Sequence, residues 1–134
     1  MTTIDVNVIE ELLGQVLVKA EQVKDNRDDD DEIVFTLQNG RVYRFFHHQS
    51  CCENVYVESI VGDLNDLVGS PIVLAEEVSG EMEDVYSGTW TFYKFATAKG
   101  YVDIRWIGTS NGCYSEEVSH CFDKIDTSKM IRLI

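Results

Sequence analysis

The side chains best suited to chemistry sit together at His47, His48, Cys51 and Cys52. Imidazole and thiolate are good zinc donors, so this cluster is the natural place to look for a metal. The spacing argues against it. Adjacent cysteines diverge and seldom close one tetrahedron, and no second cysteine pair follows at zinc-ribbon distance. Cys113 and His120 would have to converge from a remote segment. The same residues could be drawn as a cysteine nucleophile with a histidine base, but no nucleophile motif surrounds them. The plainer reading is a loop with buried, inert thiols and exposed imidazoles, with no metal and no cofactor.

Carboxylates form the second candidate. Asp28, Asp29, Asp30, Asp31 and Glu32 make one run; Glu76, Glu77, Glu81, Glu83 and Asp84 make another around Gly80. Four adjacent aspartates point in different directions and lack the alternating ligands and turn glycine of a calcium loop. Each stretch self-repels and reads as a solvated loop. Such loops would suit contact with lysine and arginine on a partner protein. The bland reading is that the acid keeps the chain soluble.

Aromatic residues form the third. Along Thr89–Thr97, Trp90, Phe92 and Lys94 point to one side of a strand and Thr91, Tyr93 and Phe95 to the other. One side is expected in the core, the other under a helix or a second copy of the chain. The competing expectation is a small-ligand site, a nucleotide stacked on Trp90 and Phe92 with Arg44 or Arg105 on its phosphate. No phosphate-binding glycine pattern, dinucleotide fingerprint or Gly-x-Ser-x-Gly elbow is present, and the chain is not expected to be an enzyme.

These groups must be carried by strands. Val16–Ala20, Ile33–Leu37, Arg41–His47, Val55–Ile60, Ile72–Ala75, Thr89–Thr97 and Val102–Trp106 alternate or are dense in β-formers. Asn39-Gly40 and Asn111-Gly112 tolerate positive φ and mark hairpins. The last three strands, ending at Phe122, are expected to form one antiparallel meander. Asn7 and Glu10 resemble a capping box ahead of Val8, Ile9, Leu12 and Leu13, which predicts a short helix ending at Gly14. Asp63–Gly69 reads as one further helical turn. The expected architecture is α+β and β-rich: an antiparallel sheet or partly closed barrel with one or two short helices packed on it.

The 134 residues fit a single domain, 1–134, with no linker and one proline, Pro71. A hydrophobic content of 44% is enough for a core, which excludes wholesale disorder. The net charge of −13 repels nucleic acid and anionic membranes, so direct nucleic-acid binding is not expected and a basic protein surface is the favoured partner. No basic, apolar leader opens the sequence and no apolar run approaches a bilayer's width. The expectation is a cytoplasmic protein with reduced cysteines.

Two stretches carry a resemblance. One runs Cys51-Cys52-Glu53-Asn54-Val55-Tyr56-Val57-Glu58-Ser59-Ile60-Val61-Gly62-Asp63-Leu64 and on through Asp66-Leu67-Val68-Gly69-Ser70-Pro71-Ile72. The other joins Trp90-Thr91-Phe92-Tyr93-Lys94-Phe95-Ala96-Thr97 to Lys99-Gly100-Tyr101-Val102-Asp103-Ile104-Arg105-Trp106. Together they resemble a family of small uncharacterised proteins encoded by bacteriophages and prophages. The resemblance implies a viral origin and the bacterial host cytoplasm as workplace, and carries over no catalytic residues. In that setting the expected function is a non-enzymatic, DNA-mimic-like inhibitor of an antiphage-defence component, such as a nucleic-acid-binding nuclease complex. The alternative is a binder that sequesters a nucleotide defence signal; a metal- or thiol-dependent enzyme ranks below both.

Overall fold

A computed structural model describes residues 9–24, 31–47, 52–83 and 87–123. These form eight strands: β1 (Leu17–Lys24), β2 (Asp31–Leu37), β3 (Val42–Phe46), β4 (Asn54–Val61), β5 (Leu74–Glu81), β6 (Gly88–Thr97), β7 (Gly100–Thr109) and β8 (Ser119–Phe122). They make two four-stranded antiparallel sheets, ordered β1-β2-β3-β8 and β4-β7-β6-β5.

Alternation builds the core. Ile33, Phe35 and Leu37 of β2 face inward with Tyr43 and Phe45 of β3; Tyr93, Phe95, Val102, Ile104 and Trp106 face them from β6 and β7. The sheets meet through aromatic edges. Phe35 and Phe95 rings stand 5.1 Å apart, and Phe45 lies 4.9 Å from Tyr93 and 5.7 Å from Phe95. Fully burying each such ring contributes about 1.5–3 kcal/mol, so this aromatic layer is the main bond between the sheets.

The Asn39-Gly40 hairpin forms as the sequence predicts, with Gly40 at φ 92°. Four expectations need correction. The predicted N-terminal helix is a single 3-10 turn over residues 9–12, and Leu64–Leu67 is a second short 3-10 helix. Ile9, Leu12 and Leu67 are buried, so three or four anchored side chains suffice where a longer amphipathic helix was expected. The fold is two stacked sheets, not a barrel. The strand expected at Ile72–Ala75 begins instead at Leu74 and runs on to Glu81, through the second acidic stretch. Finally, Asn111-Gly112 does not return β8 alongside β7. The chain crosses to the other sheet, where β8 pairs with β3.

That crossing has a local cause. Glu116 accepts hydrogen bonds from Ser87 Oγ at 2.6 Å, Thr89 Oγ1 at 2.8 Å and Ser110 Oγ at 2.5 Å. Those three hydroxyls hold its carboxyl below the usual range against the opposing effect of burial. A Cβ on Gly108 would lie 2.6 Å from the Glu116 carbonyl oxygen, so only glycine lets the crossing segment pass this close.

Candidate functional site

The inner face of the second sheet changes character along its length. Ala75 and Phe95 continue the apolar core. Beyond them the cross-strand pairs are Glu77 with Tyr93, Ser79 with Thr91 and Glu81 with Thr89. Side chains of one parity share a face, so Glu77, Ser79 and Glu81 follow Ala75 inward. The sandwich therefore opens at this end into a polar mouth. A cavity of about 480 Å³ is lined by Glu77, Ser79, Thr89 and Thr91 on one side and by Glu117, Val118 and His120 on the other. A second cavity of about 360 Å³ is lined by Glu81, Met82, Glu83, Ser87, Gly88, Thr89 and Glu116, sharing Thr89 with the first. Among the described residues, neither is lined by a lysine or arginine.

A hydrogen-bonded chain spans the mouth from sheet to sheet. Tyr43 Oη lies 2.7 Å from His120 Nδ1, His120 Nε2 stands 3.4 Å from Glu77 Oε2, and Tyr93 donates its hydroxyl to the same oxygen at 2.7 Å. With the His120 proton on Nε2, Tyr43 Oη can donate to Nδ1, and His120 and Tyr93 both donate to Glu77 Oε2. His120 and Tyr93 hold the Glu77 carboxyl below its ordinary range, against burial that pushes it up. Burial, reinforced by neighbouring carboxylates, pushes both phenols well above theirs. The tyrosines therefore remain hydrogen-bond donors at neutral pH, and Glu77 remains an anion aimed into the cavity. Such a mouth is chemically fitted to receive a cationic or hydrogen-donating group.

The predicted site residues scatter. Asp28, Asp29, Asp30 and Asp84 lie outside the described residues, as do His48 and Cys51. Asp31 is not in a loop. It is 6% exposed, accepts the Val57 N–H at 2.8 Å and pairs with Lys24 at 3.1 Å, so it ties β2 to β4. Glu32 pairs with Arg44 at 3.0 Å. Arg44 is further held by Asp123 at 2.8 Å, whose carboxylate raises the guanidinium's pKa. The first acid run is thus partly structural where it is described.

The second run is a strand, not a loop. Glu76 pairs across to Lys94 on the outer face, while Glu77 and Glu81 face the mouth and Glu83 lines the second cavity. Trp90 and Phe92 do share a half-buried outer face, 5.2 Å apart, with Arg105 stacked 5.2 Å from the Phe92 ring. Arg44 cannot join them, because it sits on the outer face of the other sheet.

His47 is buried rather than exposed. Its Nδ1 donates to the Glu117 carbonyl at 2.7 Å and its Nε2 lies 2.9 Å from Glu53 Oε2. One proton must therefore lie between His47 and Glu53. Cys52 is disulfide-bonded, which corrects the expectation of four reduced thiols; Cys113 and Cys121 are free and exposed. Among the described residues no group of three or more His, Cys, Asp or Glu is placed to hold a metal.

Sequence reasoning considered His120 only as a remote metal ligand or base and Tyr93 only as one face of the aromatic strand, and gave no site role to Tyr43, Glu116 or Glu117. A signal for the mouth did exist. Ala75-Glu77-Ser79-Glu81 is an alternating set on one strand face, hidden because Gly80 and the acids resemble a loop.

Residues 10–120 match the model of a domain of unknown function, DUF7448, and the chain belongs to that family. No curated protein matches, and no solved structure does. No helix among the described residues is long and apolar enough to cross a membrane.

Proposed function

We propose that this chain is a non-enzymatic binding protein that takes hold of a basic surface on another protein through the acidic edge at β5. The observation that carries this is the placement of Glu76, Glu77 and Glu81 on an edge strand, with Glu83 just beyond, beside two cavities lined, among the described residues, without lysine or arginine. The surrounding sequence sharpens it: no lysine or arginine occurs between Arg44 and Lys94. A field of one sign steers an oppositely charged partner and rejects nucleic acid and acidic surfaces. The resemblance to phage and prophage proteins supplies the setting. In it, the partner is a nucleic-acid-binding component of bacterial antiphage defence, the chain works in the host cytoplasm, and occupation of the basic surface inhibits that component.

The test is affinity capture from a bacterial lysate carrying defence systems, with the native chain and a Glu76→Lys/Glu81→Lys/Glu83→Lys variant. Glu77 is left intact because it also supports Tyr93. The native chain should retain a basic protein at low salt and release it at high salt, where surface charge is screened. Retention of the same partner by the variant would overturn the reading.

A second reading keeps one observation, the stack of Arg105 on Phe92 beside Trp90. A nucleotide could lie there, but without Arg44 the site loses one of its two expected phosphate contacts. Mass spectrometry of the purified protein decides it: a co-purifying nucleotide supports this alternative.

A further inference from the structure

Among the described residues, strand β5 has a neighbour on one side only. It pairs with β6 and ends its sheet, and four consecutive residues, 76–79, are exposed. Which of its backbone groups face outward follows from the register. The Met82 N–H bonds the Gly88 carbonyl at 2.9 Å, in line with the pairing of Gly80 with Trp90 and Val78 with Phe92. Bonded and non-bonded pairs alternate along an antiparallel ladder. The even-numbered residues of β5 therefore bond β6, and the N–H and C=O groups of Ala75, Glu77, Ser79 and Glu81 point to the open edge. Among the described residues, no other backbone group bonds them.

An open edge invites another strand. Its charge restricts which one. A second copy of β5 laid antiparallel with Ser79 opposite Ser79 would set Glu77 directly against Glu81 on both sides of the centre, and like charges directly opposite are destabilising. A strand with lysine or arginine at alternate positions meets the opposite situation: those side chains share one face and enter the mouth towards Glu77 and Glu81, while the residues between them lie along the outer face by Glu76.

We propose that β5 takes its partner by strand addition: an extended, lysine- or arginine-rich segment of the bound protein pairs antiparallel with the β5 edge as a fifth strand of the sheet. This rests on the acidic-edge reading and adds its geometry. Main-chain hydrogen bonds to Glu77, Ser79 and Glu81 supply register, and the carboxylates select a basic sequence. An eight-residue segment, about 27 Å long, matches the edge.

The probe is a synthetic eight-residue peptide alternating lysine and valine, with a second peptide of the same sequence N-methylated on alternate backbone nitrogens. Charge is identical in the two, but the second cannot complete a ladder. The unmodified peptide should bind the full chain at low salt, and should slow amide exchange at Glu77, Ser79 and Glu81 at least 10-fold. The methylated peptide should bind at least 10-fold more weakly. Equal binding of both peptides, or binding with no protection of those three amides, overturns strand addition and leaves the acidic-edge reading standing. Failure of both peptides to bind at low salt overturns the acidic-edge reading and strand addition together. If the three amides are already protected in the unliganded protein and it sediments as a dimer, the edge belongs to a second copy and the proposal fails.

Discussion

Glu77 is the residue where stability and the polar mouth meet, so its truncation tests the geometry most directly. In Glu77→Ala the Tyr93 hydroxyl loses its acceptor at 2.7 Å, and His120 loses the carboxylate at 3.4 Å. Tyr93 is fully buried, and an unsatisfied buried donor costs about 1–3 kcal/mol. Two effects temper this. The adjoining cavity admits water to the vacated space, and removing one carboxylate from a chain of net charge −13 relieves self-repulsion. The expected loss is about 1–2 kcal/mol at pH 7, a Tm drop of roughly 3–8 °C for a chain of this size. Glu77→Gln keeps an oxygen for Tyr93 and should lose less. The pH dependence has a definite sign. The Glu77 carboxyl sits below its unfolded value of 4.5. Its contribution is therefore complete above that pH and disappears as the pH falls through the lower folded-state value. Urea denaturation from pH 7 to pH 3 should show native and Glu77→Gln proteins converging in acid. A Glu77→Ala protein as stable as the native chain at pH 7, or a gap to Glu77→Gln that widens on acidification, would refute the hydrogen-bonded mouth.

Other expectations follow from contacts elsewhere. Glu53→Ala leaves the buried His47 Nε2 without the carboxylate 2.9 Å away, and should cost about 1–3 kcal/mol in urea denaturation. Asp31→Ala strips the part-buried Val57 N–H of its acceptor and removes the carboxylate 3.1 Å from Lys24; a loss of about 2 kcal/mol is expected by the same measurement. In Gly80→Ala the new Cβ would lie 2.6 Å from Trp90 Cζ2, so the indole must swing aside. Tryptophan fluorescence should shift to the red as Trp90 gains water, while Trp106, 1% exposed, stays constant; an unchanged spectrum would contradict the close packing of Trp90 on Gly80.

Much of the fold was legible because it rests on local rules. Period-two alternation gave Ile33, Phe35 and Leu37 in one strand, Tyr43 and Phe45 in the next, and Tyr93 and Phe95 in the aromatic strand, and those residues face the core. Asn39-Gly40 marked its hairpin because left-handed backbone at residue 40 suits glycine. The alternation divides the Trp90 strand into its two faces, and the structure decides which is core: Tyr93 and Phe95 turn inward. The acid-rich β5 was read as a loop because charge and glycine are depleted from strands on average. An edge strand escapes that rule: exposed carboxylates keep their water and also keep other edges away.

The amino-acid sequence by itself determined a β-rich, strongly acidic chain with one well-marked hairpin and an aromatic core strand. These depend on the spacing of neighbouring residues, which any segment carries with it. Only the tertiary structure decided that Asn111-Gly112 leads across to the other sheet, that Asp31 is a tie between sheets, and that Tyr43, Glu77, Tyr93 and His120 meet. Each depends on groups far apart in the chain, such as Glu116 reaching Ser87 or His120 reaching Tyr43. Strand order sets those encounters, and one strand's alternation is the same whichever neighbour it pairs with.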